Sequence, residues 1–148
     1  MTRNICILVL LMLPLAALLT GCGTKTIDAT DYARIKMQEW EGKTSGYCYV
    51  DYEHLVGDHL DAFGIKAEDA AAVDAAVADT AMRLHVTAED TEDLKNGDVV
   101  MIQWRFEDAE DFREKYHIAF SFQNRQKYQL QSGTDESGYA IMQLIPIE

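Results

Sequence analysis

Apolar residues recur at every second position through much of the second half of the chain. The alternating groups are Met82, Leu84 and Val86; Val100, Ile102, Trp104 and Phe106; Ile118, Phe120 and Phe122; and Tyr128 with Leu130. A period of two places such residues on one face of a strand, so each group predicts a half-buried β-strand. The last segment, residues 139–147, is apolar on both faces, which predicts a central or covered strand.

The first half of the chain begins with a predicted β-hairpin. Residues 32–40 place Ile35 and Met37 on one face of a strand, and residues 47–52 are rich in strand-favouring aromatics. The segment between them contains Gly42 and Gly46, which are typical of a turn.

Three segments show helical signals instead. Asp51 is placed to cap a helix that carries Leu55, Leu60 and Phe63, and Gly64 is placed to end it. The alanine-rich residues 67–81 predict a surface helix with a narrow apolar stripe, and residues 108–116 predict a short helix. About seven strands with two or three short helices indicate a mainly β domain, with an α+β fold as the alternative. The expected architecture is an antiparallel β-sandwich or a barrel-like sheet.

The first 21 residues differ from the rest. A positive start that contains Arg3 leads into an uncharged apolar run over residues 5–19, which is shorter than a comfortable membrane-spanning helix and contains Pro14. The run ends in Leu19-Thr20-Gly21-Cys22. This ending resembles the lipobox of bacterial lipoprotein signal peptides. The resemblance implies a diacylglyceryl lipid on the thiol of Cys22 and cleavage between Gly21 and Cys22. The alternative is an ordinary secretory signal followed by a coincidental cysteine.

These features predict the organisation of the whole chain. Removal of the 21-residue signal from 148 residues leaves 127, enough for one modest domain. Residues 22–30 are expected to be a lipidated polar tether, and residues 31–148 a single β-rich extracytoplasmic domain. The lipid would hold the domain at the cell membrane, or at the outer membrane if the cell is Gram-negative.

The charge balance limits the partners. Only Arg3 of the 13 Lys and Arg residues lies in the signal, so 12 basic residues face 25 acidic ones and the side-chain charge becomes −13. Nucleic acid, which requires a basic surface, is excluded as a partner, and direct binding to anionic lipids is disfavoured. Basic peptides, basic proteins and divalent cations remain possible partners of such an acidic chain. The negative charge is also explained without any partner, because it keeps an exported protein soluble.

Once Cys6 is removed with the signal and Cys22 carries lipid, Cys48 is the only free thiol. The mature chain therefore cannot form an intramolecular disulfide. Strand alternation places Cys48 on the face of Val50, which favours a buried structural cysteine over a nucleophile.

The acidic residues raise the question of calcium. Asp90, Glu92, Asp93 and Asp98 supply oxygen ligands near a glycine turn, but their spacing lacks the rhythm and the final glutamate of an EF-hand loop. A solvated loop is therefore the preferred interpretation, and neither a metal nor another cofactor is expected beyond the lipid on Cys22.

The histidines do not form a metal motif. His54 and His59 lie about 140° apart on a helix, which is too far for a ligand pair, while His85 and His117 would have to meet across a sheet. No serine-hydrolase elbow, zinc-protease motif or phosphate loop occurs in the sequence. A hydrolase without a recognisable motif is the third interpretation of function.

Tyr47 and Tyr49 lie on the strand face opposite Cys48, beside Asp51. Exposed tyrosines with a nearby carboxylate form a possible binding face for sugars or for a basic protein. The competing interpretation is that the alanine-rich helix covers this face.

Two parts of the chain resemble a β-rich module of Gram-positive surface proteins and lipoproteins. The similar segments are residues 39–42, 46–52 and 94–100 in the first part, and residues 115–120 and 127–130 in the second. The resemblance brings no catalytic residues with it. A non-catalytic envelope binding module, with a protein or a cell-wall glycan as partner, is therefore the expected function. The alternative is a small-ligand or calcium-binding lipoprotein.

Overall fold

A computed structural model describes residues 23–147, and the chain is mainly β. The strands are β1 (Lys25–Asp28), β2 (Ala33–Trp40), β3 (Lys43–Val50), β4 (Leu84–Ala88), β5 (Val99–Phe106), β6 (Ile118–Ser121), β7 (Arg125–Thr134) and β8 (Ala140–Pro146). The helices are a 3-10 helix (Ala29–Tyr32), α1 (Tyr52–Gly57), α2 (Leu60–Phe63), α3 (Ala70–Arg83) and α4 (Ala109–Tyr116). The predicted fold class is confirmed, and residues 23–147 contain eight strands, one more than the seven predicted, and four α-helices.

Six of the strands form one antiparallel sheet in the order β3-β2-β8-β7-β5-β4. The C-terminal strand β8 lies between β2 and β7, pairing Ile35 with Met142 on one side and Leu130 with Leu144 on the other. Its apolar character on both faces agrees with this central place.

The two outer strands of the sheet, β3 and β4, approach each other and nearly close it. Ser45 forms an antiparallel bridge with Glu92, and the backbone N–H of Gly46 donates to the carbonyl of Thr91 over 2.7 Å. The backbone N–H of Asp93 likewise donates to Thr44 over 2.8 Å. The barrel-like form of the prediction is therefore the one that the chain adopts.

Residues expected in the polar tether belong to the fold, so that prediction is wrong from Lys25 onward. Strand β1 pairs in parallel with β6, Lys25 opposite Ile118, and forms a second, two-stranded sheet. Ile27 and Ala29 are buried in the core. The burial of these two apolar side chains and the hydrogen bonds to β6 fix a segment that looks polar when its composition is taken as a whole.

The predicted helix boundaries at Asp51 and Gly64 are confirmed, but the segment between them forms two helices, α1 and α2, where one was predicted, and α3 begins at Ala70 rather than at residue 67. The Asp51 side chain accepts a hydrogen bond from the backbone N–H of His54 at the start of α1, and Gly64 ends α2 with a φ of +69°. Helix α3 extends through Met82, which is 73 % exposed and was predicted to belong to a strand. High helix propensity carries the alanine-rich run up to Arg83, so β4 begins only at Leu84.

Phe112 of α4 lies at the centre of an aromatic cluster between the helices and the sheets. Its ring contacts those of Phe63, Phe106, Tyr116 and Phe120, with ring centroids 4.7–6.3 Å apart. This cluster joins α2 and α4 to β5 and β6 and completes the core on the helical side. None of the helices in residues 23–147 is long and apolar enough to cross a membrane.

Candidate binding face

The two tyrosines of β3 form an aromatic pair, in which Tyr47 is exposed and Tyr49 is half-buried. The rings of Tyr47 and Tyr49 are nearly parallel, 10° apart, with centroids separated by 6.3 Å, and Tyr47 is 60 % exposed. Helix α3 packs against α1 and β4. The interpretation that the alanine-rich helix covers the tyrosine face is therefore wrong.

A third aromatic ring extends this face across the sheet. Tyr47 is paired with Lys36 of β2, and the Lys36 ammonium lies 4.7 Å from the ring centroid of Tyr139. Tyr139 is also 60 % exposed. Sequence reasoning missed Tyr139 because only the order of the strands brings the start of β8 beside β2.

Tyr49 and Asp51 lie at the edge of a cleft of about 520 Å³. Strands β2 and β3, helix α1 and the turn between β7 and β8 surround it. Its carboxylates come from Asp51, Glu53, Asp58, Asp135 and Glu136. Arg34 and His54 are the only basic side chains among its described lining residues, so the cleft is strongly acidic.

His54 connects the two walls of the cleft. Its Nδ1 lies 2.8 Å from Asp51 Oδ2, and its Nε2 lies 3.1 Å from Glu136 Oε1. The hydrogen bonds to Asp51 and Glu136 and the charges of these carboxylates raise the pKa of His54 above its ordinary value. The imidazole thereby holds the β7–β8 turn against α1.

The floor of the cleft is held by internal hydrogen bonds. The Arg34 guanidinium donates to the backbone carbonyls of Asp31 and Ala33 over 2.6 and 2.8 Å. The Tyr32 hydroxyl donates to Asp58 over 3.0 Å, and burial together with that contact raises the pKa of Tyr32 to about 12. Arg34 thus has fixed partners, while carboxylates dominate the rim.

A second depression, of about 460 Å³, lies where β3 faces β4. Tyr47 and Tyr49 line it together with His85 and Arg105. Tyr49 therefore borders both depressions, whereas Tyr47 lines only the second.

Cys48 is half-buried and packs against the core, and it also lines the second depression between the two tyrosines. Burial raises the pKa of its thiol to about 12, so almost no thiolate exists near neutral pH. This agrees with a structural cysteine.

The four acidic loop residues do not gather around one point. The Asp98 carboxylate accepts the backbone N–H of Lys95 over 2.8 Å, and Glu92 lies in the bridge with Ser45. Asp90 and Asp93 adopt positive φ angles of 53° and 52°, which turn the backbone. In the part of the chain that the structure describes, no group of three or more acidic, histidine or cysteine side chains is arranged to hold a metal ion.

The other two histidines also lie apart. The ring of His85 contacts the Met82 carbonyl over 3.1 Å on the edge strand β4, whereas His117 ends α4 before β6, in the other sheet. The sequence contained no signal that would place Glu136 beside His54. The only local hint was the turn composition of residues 135–138.

Comparisons of the chain with protein-family models, with curated proteins and with solved structures find no match. The resemblance to a β-rich Gram-positive module stays a prediction. The predicted cleavage site at Gly21 and the lipid site at Cys22 lie outside the described residues.

Proposed function

We propose that the chain is a lipid-anchored, non-catalytic binding module of the cell envelope, and that it holds its partner at Tyr47, Tyr49 and Asp51. The observation that carries the proposal is the stacked tyrosine pair, in which Tyr47 is exposed and Tyr49 borders a cleft of about 520 Å³. Stacked aromatic rings supply large, rigid contact area at little entropic cost, which is typical of binding surfaces.

The partner favoured by this chemistry is a basic segment of an envelope protein. Lysine or arginine side chains interact favourably with tyrosine faces and with the carboxylates of Asp51, Asp135 and Glu136. A cell-wall glycan, which would stack its sugar rings on the tyrosines, is the other partner considered.

The test is a pull-down from detergent-solubilised envelope with the mature protein as bait and mass spectrometry as readout. A reproducible protein partner that is lost in the double variant Tyr47→Ala/Tyr49→Ala supports the proposal. Met82→Ala is the matched control, because Met82 is a large exposed side chain on α3 that lines neither of the two depressions beside the tyrosines. A partner that is retained by the tyrosine variant would place the interface elsewhere.

The lipid anchor is tested separately. Cys22→Ser should move the mature domain out of the membrane fraction, because a diacylglyceryl chain can no longer be attached. Unchanged fractionation would contradict the anchor.

A small cationic ligand is the second candidate, and the acidic character of the same cleft favours it. A ligand that binds the folded state raises the melting temperature in proportion to the logarithm of its excess over Kd. Titration with calcium, and separately with a diamine, should raise the melting temperature of the wild type more than that of Asp135→Asn/Glu136→Gln. If neither ligand raises it, this candidate loses its support.

A further inference from the structure

The point at which the chain enters the fold is held tightly. The backbone N–H of Lys25 donates to the carbonyl of His117 over 2.8 Å, and β1 continues from Lys25 in register with β6. Ile27, two residues later, is 3 % exposed. Only Gly23 and Thr24 separate Cys22 from this anchored strand.

Covalent geometry then limits how far the domain can stand from a lipid on Cys22. Three peptide units span at most about 10 Å between the Cα atoms of Cys22 and Lys25. A folded domain of this size has a radius of gyration of about 14 Å. Because the connection is shorter than that radius, the surface around Lys25 is the part of the domain nearest the membrane.

That surface contains a depression of about 260 Å³ beside the chain entry. It is lined by Gly23, Lys25, residues 61–64 and residues 115–117. Its charged lining side chains are those of Lys25, Lys115 and Asp61, and the Asp79 carboxylate lies 2.7 Å from Lys115 Nζ, so two ammonium groups face two carboxylates. This balance differs from that in the acidic cleft, where five carboxylates face Arg34 and His54 and with which the depression shares no lining residue.

The two ammonium groups are positioned by neighbouring groups. Lys25 Nζ donates to the backbone carbonyl of Asp61 over 3.0 Å. Lys115 Nζ donates to Asp79 Oδ2 over 2.7 Å and lies 4.9 Å from the ring centroid of Tyr116. Both side chains remain exposed, so each ammonium retains hydrogen-bonding capacity for a phosphate oxygen.

We propose that this surface, formed by Lys25, residues 61–64 and residues 115–117, rests directly on the phospholipid headgroups of the membrane that holds the anchor. Lys25 and Lys115 contact headgroup phosphates, and the domain lies against the bilayer. The inference rests on the proposed lipid at Cys22. It also refines the expectation from the overall charge, since a chain of net charge −13 in its mature part still offers two exposed ammonium groups to headgroup phosphates.

The experiment compares the lipidated chain with a variant that has a longer connection. A Gly/Ser insert of about twelve residues between Gly23 and Thr24, with a root-mean-square length of about 20 Å, lets the domain leave the surface. Both proteins are reconstituted into vesicles of phosphatidylcholine and phosphatidylglycerol and treated with an acetylating reagent. Mass spectrometry then gives the acetylation rate of each lysine.

We expect Lys25 and Lys115 to react several-fold more slowly with the native connection than with the insert. Lys43 and Lys95 are the internal controls and should react equally in both proteins. Both are exposed and lie at the β2–β3 turn and in the loop that pairs with it, at the end of β3 away from α1.

Equal rates for Lys25 and Lys115 in the two proteins would overturn the membrane-facing surface. So would protection that persists with the insert, because the cover would then not be the membrane. The mass of the N-terminal peptide separates these results from failure of the anchor. A Cys22 peptide without lipid contradicts the proposed anchor itself, and the membrane-facing surface with it.

Discussion

His54 and Glu136 are separated by 82 positions in the chain, yet Nε2 of His54 lies 3.1 Å from Oε1 of Glu136. The other ring nitrogen lies 2.8 Å from Asp51. Both ring nitrogens can donate to carboxylates only when the imidazole is protonated, so this contact between α1 and the β7–β8 turn depends on pH.

The first prediction is that Glu136→Gln lowers the pKa of His54 but leaves it above the ordinary value, since the hydrogen bond to Asp51 is the largest cause of the increase. Proton NMR titration of the His54 ring measures this pKa in the wild type and in the variant. The pKa of His54 is higher in the folded state than in the unfolded state, where it is about 6.5. The stabilisation that the protonated ring provides is therefore complete below about pH 6.5, and it is lost as the pH rises through the folded-state pKa. The side chain is largely exposed, so the effect on stability should be small.

Glu53→Gln is the matched control for that titration. Glu53 lines the same cleft, but no hydrogen bond joins it to His54, so its loss should lower the pKa of His54 less. An equal decrease of the His54 pKa in both variants would show that the summed negative charge of the cleft, and not the Glu136 contact, raises this pKa.

The second prediction concerns Asp79 of α3, which joins this helix to α4. Its carboxylate accepts hydrogen bonds from Lys115, Arg83 and Tyr116 over 2.7–3.1 Å. Burial opposes ionisation, but these hydrogen bonds outweigh it and lower the pKa of Asp79. Asp79→Asn should reduce the free energy of unfolding at pH 7 by about 1–3 kcal/mol, as measured by urea denaturation.

The pH dependence follows from the sign of that shift. The pKa of Asp79 is lower in the folded state than in the unfolded state, where it is about 3.9. The ionised carboxylate therefore stabilises the fold at pH values above about 3.9, and this stabilisation is lost as the pH falls through the folded-state pKa. The difference in the free energy of unfolding between wild type and Asp79→Asn should therefore shrink below about pH 4.

The control Asp74→Asn, at an exposed site on the same helix, should change the free energy of unfolding by less than about 0.5 kcal/mol. A constant difference down to pH 2 would contradict the assignment.

The third prediction tests the packing where the sheet nearly closes. A Cβ atom on Gly46 would lie 2.7 Å from Ile35 Cγ2 and 3.0 Å from Leu94 Cδ1, and Ile35 is fully buried. Gly46→Ala should therefore lower the free energy of unfolding by about 1–3 kcal/mol through overpacking. Gly57→Ala is the control. Its site is open, so chemical denaturation should show no loss of stability there. Equal stability of Gly46→Ala and wild type would mean that β3 moves without cost.

The fourth prediction concerns Cys48. With a pKa of about 12, about one thiol in ten thousand is ionised at pH 8, against about a quarter for a free cysteine. Alkylation of the domain 23–148 by iodoacetamide should be slow in buffer and fast in urea, as measured by intact mass over time. Rapid modification of the folded domain would contradict the structural role of this thiol.

Local patterns determined much of this protein from its sequence alone. Alternation predicted β5 and β7, and it placed Tyr47 and Tyr49 on the face opposite Cys48. Apolar residues on both faces predicted the central β8. Asp51 and Gly64 were recognisable as helix boundaries because a cap depends on residues only a few positions away. The resemblance of residues 19–22 to a lipobox is likewise a local signal, and both the lipobox and the lipid on Cys22 stay predictions.

Tertiary structure decided which segments meet. Strand β1 pairs with β6, more than 90 positions away, and its inclusion in the fold depends on burying Ile27 rather than on its polar composition. The acidic cleft exists because β8 lies beside β2, which brings Glu136 to His54. Such pairings minimise the exposed apolar surface of the whole chain, and a pattern that repeats every two or four residues carries no information about them.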